Sequence, residues 1–303
     1  MSRFRVQDRW GPLLLETVKT KFKLAALLLA WCTLASVPAH SAMDLVNAPL
    51  DNGFRLMYNL DFARAQQQFA TYQQKHADDP LGPACEAAGL LFAEFERLGV
   101  LESQFYESDS KFDSRKKFAP DPAVRRKFDE ALQRAETLAR VRLVRDRNDQ
   151  NALFAMTLAA GLKADYAALI EKRNVASLRY TKESNAWANQ LLAVRPDYYD
   201  AHLASGISKY IIGSMAAPVR WILRIGGVGG GDKKAGIAEL ELTAQRGHYL
   251  APFARILLAI AYVREKDRAR AREVLASLRE DFPNNPLFGK EIARLEEKQS
   301  RPD

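Results

Sequence analysis

Few side chains in this sequence are spaced to do chemistry. Past residue 42 it holds three histidines, His76, His202 and His248, and one cysteine, Cys85. None pairs with another histidine or with Cys85 at the three- or four-residue spacing that sets two metal ligands on one helix face. His76 precedes Asp78 and Asp79 at an expected helix end, where a cation suits the terminal carbonyls. A serine or cysteine nucleophile would need a histidine delivered from a distant segment. The stretch Ile225–Lys234 looks like a phosphate loop, since Gly226 and Gly231 keep the four-residue gap. Asp232, however, stands where lysine is required, and the dinucleotide pattern begun by Gly227 and Gly229 also ends on Asp232. No strand precedes it. The stretch reads as a turn whose Asp232 caps the following helix. The arginines from Arg125 to Arg147 share a helix with the stripe Phe128, Leu132, Ala135 and Leu138, so a solvated face explains them better than an anion-binding patch. No catalytic, metal-binding or cofactor-binding residue is assigned, and no cofactor is expected.

The elements that would position any site must be read without the leader. Lys19, Lys21 and Lys23 precede an apolar run from Leu24 to Val37, which exits through Pro38-Ala39-His40-Ser41-Ala42. That order of charged, apolar and small residues is that of a secretory signal peptide over residues 1–42, cleaved near Ala39–Ala42. The 14-residue run is shorter than the roughly 20 a spanning helix needs. Bulky Trp31 before Cys32 argues against lipid modification there. Of the 45 basic and 37 acidic side chains, six and two lie in residues 1–42, so a net charge of +8 falls to +4 in residues 43–303. A balance this modest does not point to nucleic acid. Cys85 alone remains, and an internal disulfide is impossible. Apolar residues make up 48%, enough for a sizeable core.

Residues 43–303 step by three and four rather than two, which predicts an all-α chain. Residues 250–283 set out the unit. Leu258, Ala259 and Tyr262 lie on one stripe, Ala271, Leu275 and Leu278 on another, and Pro283 ends it. Small Ala259 and Ala271 let the two helices cross closely. The order of small and large residues over about 34 positions resembles the tetratricopeptide repeat (TPR). A second copy lies at 46–80, with Gly53 and Leu56, then Ala65, Phe69 and Tyr72, and Pro80. The step between small residues is 12 in both. Stretched copies carry Gly89 and Phe92 with Ala131 and Leu138, then Ala159 and Leu162 with Ser184, Ala188 and Leu191, then Gly206 with Gly236 and Leu240. Lys209 is anomalous in the fourth, standing where other units place Leu, Phe or Tyr. The expectation is an α-solenoid of about five TPR-like helix pairs with three insertions, capped by a charged helix from Lys290.

The resemblance implies that first helices line a concave face where ligands lie. Inward positions read Phe54, Met57 and Tyr58 in the first unit, Ile207, Tyr210 and Ile211 in the fourth, and Phe253, Ile256, Ile260 and Val263 in the fifth. A face so apolar must be covered. The insertion Met215–Ile225 is one candidate, as a short helix begun by Pro218 that plugs the concavity with Trp221, Ile222, Leu223 and Ile225. Its alternative is a contact surface for a membrane or a partner. Residues 214–244 also resemble the eukaryotic inclusion-clearing TPR family of the mitochondrial outer membrane, which implies a non-enzymatic adaptor. The leading expectation is therefore an exported, periplasmic scaffold that holds a protein partner without catalysis. The alternatives are a carrier of an apolar small molecule or lipid in the concave face, and a helical enzyme with a site assembled from distant repeats.

Overall fold

A computed structural model describes residues 40–101, 118–215 and 231–300. The chain divides into two compact units, Met1–Ala48 and Pro49–Asp303, and the helical array is built in the second. Every regular element among the described residues is helical. The first pair is α1 (His40–Tyr58) with α2 (Phe62–Lys75), and the second is α3 (Leu81–Arg97) with α4 (Pro122–Arg145). The third is α5 (Gln150–Asp165) with α6 (Asn174–Val194), and the fourth α7 (His202–Ser214) with α8 (Lys233–Arg246). The fifth is α9 (Ala251–Arg264) with α10 (Arg268–Asp281), and α11 (Pro286–Ser300) closes the series. This is a TPR-like α-solenoid of five helix pairs.

Aspartate starts five of these eleven helices. Asp61, Asp121, Asp232 and Asp267 each accept a backbone N–H from the first turn of a second helix, and Asp149 does so for α5. Each satisfies donors that the helix itself leaves unpaired. In the first and fifth pairs the cap follows a residue in the left-handed region, Leu60 (φ 61°) before Asp61 and Lys266 (φ 64°) before Asp267. The two ends of the array thus share one turn as well as one pattern of small residues.

The crossings are built as the register requires. Ala65, Phe69 and Tyr72 are buried in α2, Ser184, Ala188 and Leu191 in α6, and Ala271, Leu275 and Leu278 in α10. The crossing of α7 with α8 brings backbone against backbone. A Cβ at Gly236 would lie 2.5 Å from the backbone nitrogen of Tyr210 and 2.9 Å from the Gly206 carbonyl oxygen. Lys209, anomalous by pattern, is explained here, because its Nζ meets Glu239 Oε1 at 2.5 Å across the same crossing. The insertion expected in the third unit is not a separate segment. Its extra residues lengthen α5 through a π-helical turn, Tyr166–Ile170, and lengthen α6 to 21 residues. The helical run 150–170 is long and apolar enough to cross a membrane, yet 67% of its apolar 18-residue stretch is buried inside the fold. Arg142 is also not a merely solvated residue, since its Nε donates to Asp149 Oδ2 at 2.7 Å. The cap begins at Pro286 rather than Lys290 and buries Phe288, Ile292 and Leu295.

Gly236→Ala should destabilise the fold by about 1–3 kcal/mol, because the added methyl group meets backbone that cannot swing away. Gly89→Ala should cost less than half of that. Its Cβ would meet Gln66 Nε2 at 2.5 Å, the far end of a flexible side chain, and alanine gains helix propensity. Urea unfolding measures both, with Arg145→Lys as a surface reference expected within about 0.5 kcal/mol. Equal losses at the two glycines would show that the α7–α8 crossing is not backbone-limited.

Candidate functional site

The array does not stay open, because its first helix meets its last pair. The Tyr58 hydroxyl donates to the Tyr249 carbonyl at 3.0 Å, across 191 residues. Asn285 Nδ2 donates to the Tyr58 carbonyl at 2.9 Å, across 227. The Phe54 ring stacks on Tyr249 at 5.0 Å, and Tyr249 in turn faces Phe154 of α5 at 6.3 Å. Tyr249 comes from the turn between α8 and α9 and fills the centre of the concavity. The covering role expected of Trp221, Ile222, Leu223 and Ile225 lies outside the described residues.

Asp200 holds that turn in place. Its Oδ1 accepts the N–H of His248 at 2.8 Å and of Leu250 at 3.1 Å, and its Oδ2 accepts that of Tyr249 at 3.0 Å. Burial pushes its carboxyl above the usual carboxylate range, and these backbone bonds pull the other way without fully offsetting it. Three N–H groups just before α9, two of them on the buried residues Tyr249 and Leu250, are satisfied by one side chain.

Beside this closure an apolar groove of about 90 Å³ remains open. Phe253, Ile256, Ile260 and Val263, one stripe of α9, form one wall, and Met57 and Tyr58 of α1 another. Six of the ten expected inward residues are thereby brought together. The rest of the lining was not legible as a site. Phe92 and Leu101 enter from the second pair, Leu275 from α10, and Leu287, Phe288 and Leu295 from the cap. Only the apolar spacing of 288, 292 and 295 signalled that the cap had an inner face. The other expected residues stand elsewhere. Phe54 is interior, against Phe69 and Tyr249. Tyr210 is buried, with its hydroxyl 3.4 Å from the Ala261 carbonyl and 3.3 Å from Glu265, and burial next to Glu265 pushes its phenol up to about 12. Ile207 packs partly buried against the core, and Ile211 is 47% exposed. None of these four lines the groove.

Its two polar side chains are already engaged. Asn285 bonds the Tyr58 carbonyl and accepts the Leu287 N–H at 3.0 Å, and Glu291 pairs with Arg294 at 2.5 Å. Several chemically versatile side chains are also committed elsewhere. Ser205 Oγ donates to Glu239 Oε2 at 2.6 Å, and His202 Nδ1 meets the same oxygen at 2.7 Å. Burial opposes ionisation of Glu239, but bonds from Lys209, Ser205 and His202 outweigh it and hold the carboxyl below its usual range. A nucleophilic serine must pass its proton to histidine, and here both address one carboxylate, so neither activates the other. His76 lies against Tyr72, and His248 Nε2 meets Asp51 at 2.7 Å. Burial raises the Cys85 thiol far above its normal range, away from the reactive thiolate. No cluster of metal-binding side chains occurs among the described residues.

No protein-family model matches the chain, and no curated protein does. One similar solved structure is a thermophilic TPR protein from Thermus thermophilus, at 15% identity and a TM-score of 0.42. The match covers 82% of this chain and 98% of that one.

Asp200→Asn should destabilise the protein by about 1.5–3 kcal/mol, the scale of hydrogen bonds to a charged acceptor. An amide has one acceptor oxygen, and its NH2 would face a backbone N–H. Urea melts measure the loss, and Tyr249 amide hydrogen exchange should accelerate in parallel. Unchanged exchange at Tyr249 would show that the turn is held by packing instead.

Proposed function

We propose that this protein is an exported, non-enzymatic scaffold that grips a protein partner by an apolar anchor side chain in the groove beside α9. The observation that supports it is the groove itself, apolar on its walls and with its polar groups already bonded to the protein. Such a surface rewards burial of a group that needs no hydrogen bond. Its size favours a protein anchor over the carrier reading. About 90 Å³ accepts a leucine, methionine or phenylalanine tip, whereas small-molecule pockets run to roughly 300–1,000 Å³.

Displayed peptide libraries presented to the protein should enrich sequences around one large apolar residue. Ile256→Asp, which sets a charge on the groove wall, should weaken the selected peptides at least tenfold, while far-side Lys182→Ala leaves them unchanged. Native mass spectrometry of gently extracted protein should show no retained small molecule. A retained lipid or other apolar compound lost in Ile256→Asp would replace the scaffold with the carrier.

Export rests on the leader. The recovered mature chain should begin between His40 and Met43 by N-terminal sequencing. A chain that still starts before Leu24, recovered with the membranes, would overturn processing and export together.

A further inference from the structure

The second half of α4 carries a surface that the groove does not involve. Its inner stripe, Phe128, Ala131, Leu132, Ala135 and Ala139, is buried in the fold. Opposite it, Arg140, Val141, Val144 and Arg145 are exposed, and Arg147 follows just past the helix. Val144 is 87% exposed and Val141 47%, although a β-branched apolar residue on a helix surface gains neither propensity nor burial. Three other arginines of this helix are spoken for. Arg125 pairs with Asp129 and Glu171, Arg134 with Glu86, and Arg142 with Asp149. Among the described residues Arg140, Arg145 and Arg147 have no such partner. From Gln133 to Arg145 the exposed positions carry no carboxylate, since Glu136 is partly buried and paired with Lys163. The acid that follows in the chain, Asp146, ends the helix and accepts the Asn148 N–H at 2.9 Å.

We propose that this face docks peripherally on an anionic phospholipid surface. Charge complementarity selects the partner's sign, and the valines select its kind. Two aliphatic side chains set among arginines match a layer of negative headgroups with acyl chains beneath, where the cations meet phosphate and the valines are taken out of water. Nucleic acid or an acidic peptide would satisfy the arginines but leave both valines in solvent. No aromatic residue lies on this face to stack on bases. An arginine beside an anionic surface increases partitioning by about fivefold, so three give roughly 10², a weak and reversible association. The proposal does not rest on the groove, and either can fail alone.

The Pro49–Asp303 unit has its own core, so a chain beginning at Met43 serves for the test. It should co-sediment with vesicles of phosphatidylcholine containing about a third phosphatidylglycerol, release as salt rises, and ignore pure phosphatidylcholine vesicles. Replacing Arg140, Arg145 and Arg147 together by serine should lower binding about 100-fold with an unchanged urea midpoint. Val144→Ser should lower it severalfold while leaving the salt dependence intact. Equal binding to both vesicle types, or full binding by the triple variant, would overturn the proposal. So would loss on Trp221→Ala with the arginine variant unaffected, which would move the contact to residues 215–225. Full competition by polyglutamate with no effect of Val144→Ser would replace the bilayer with an acidic protein.

Discussion

Closure of this solenoid depends on one buried carboxylate. Asp200 sits where the fourth pair begins and accepts three backbone N–H groups from the turn that starts the fifth. Without it, the N–H groups of buried Tyr249 and Leu250 would be left unsatisfied, at a cost of about 1–3 kcal/mol each. With it, Tyr249 projects into the concavity, where Phe54 and Phe154 stack on its ring and Tyr58 bonds its carbonyl. The first helix pair and the last are then neighbours. An array whose units would otherwise touch only adjacent units acquires contacts spanning some two hundred residues.

Closure also determines what is left for function. Most of an open TPR-like concavity would be free to bind along its length. Here, among the described residues, Tyr249 and the rings around it occupy the middle, and the corner among α1, α3, α9, α10 and α11 stays accessible. The same closure separates the fourth-unit residues from the others. Tyr210 turns toward Ala261 and Glu265 and becomes part of a joint between helix pairs rather than a wall of the groove.

Polar chemistry in this fold serves geometry. Asp61, Asp121, Asp149, Asp232 and Asp267 start helices, Glu239 gathers Lys209, Ser205 and His202 across one crossing, and Asp79 receives Tyr72, Asn151 and the Leu81 N–H. Glu94, buried and bonded by Arg97, accepts the Asp121 N–H and so ties the start of α4 to α3. These groups are paired, and paired groups in a low-dielectric interior specify one arrangement of helices.

The sequence by itself determined the local half of this protein. A small residue at each crossing, twelve positions apart in the compact units, is a constraint within one pair of helices, and contact range along the chain makes it readable as a period. A helix start was legible at Asp232 for the same reason, since a cap acts over three residues. Six groove residues were legible because inward facing follows from position on a first helix. What only the tertiary structure decided is which inward faces meet. Nothing near Tyr249 in the chain marks it as the filler of the concavity, because its partners are Phe54, Phe154 and Asp200, up to 195 positions away. Whether Phe288 lines a groove or merely ends a cap, and whether Tyr210 faces a ligand or a neighbouring helix, depends on the summed small rotations between successive pairs. That sum is a global quantity. No local spacing encodes it, and here it brings the first helix onto the last pair.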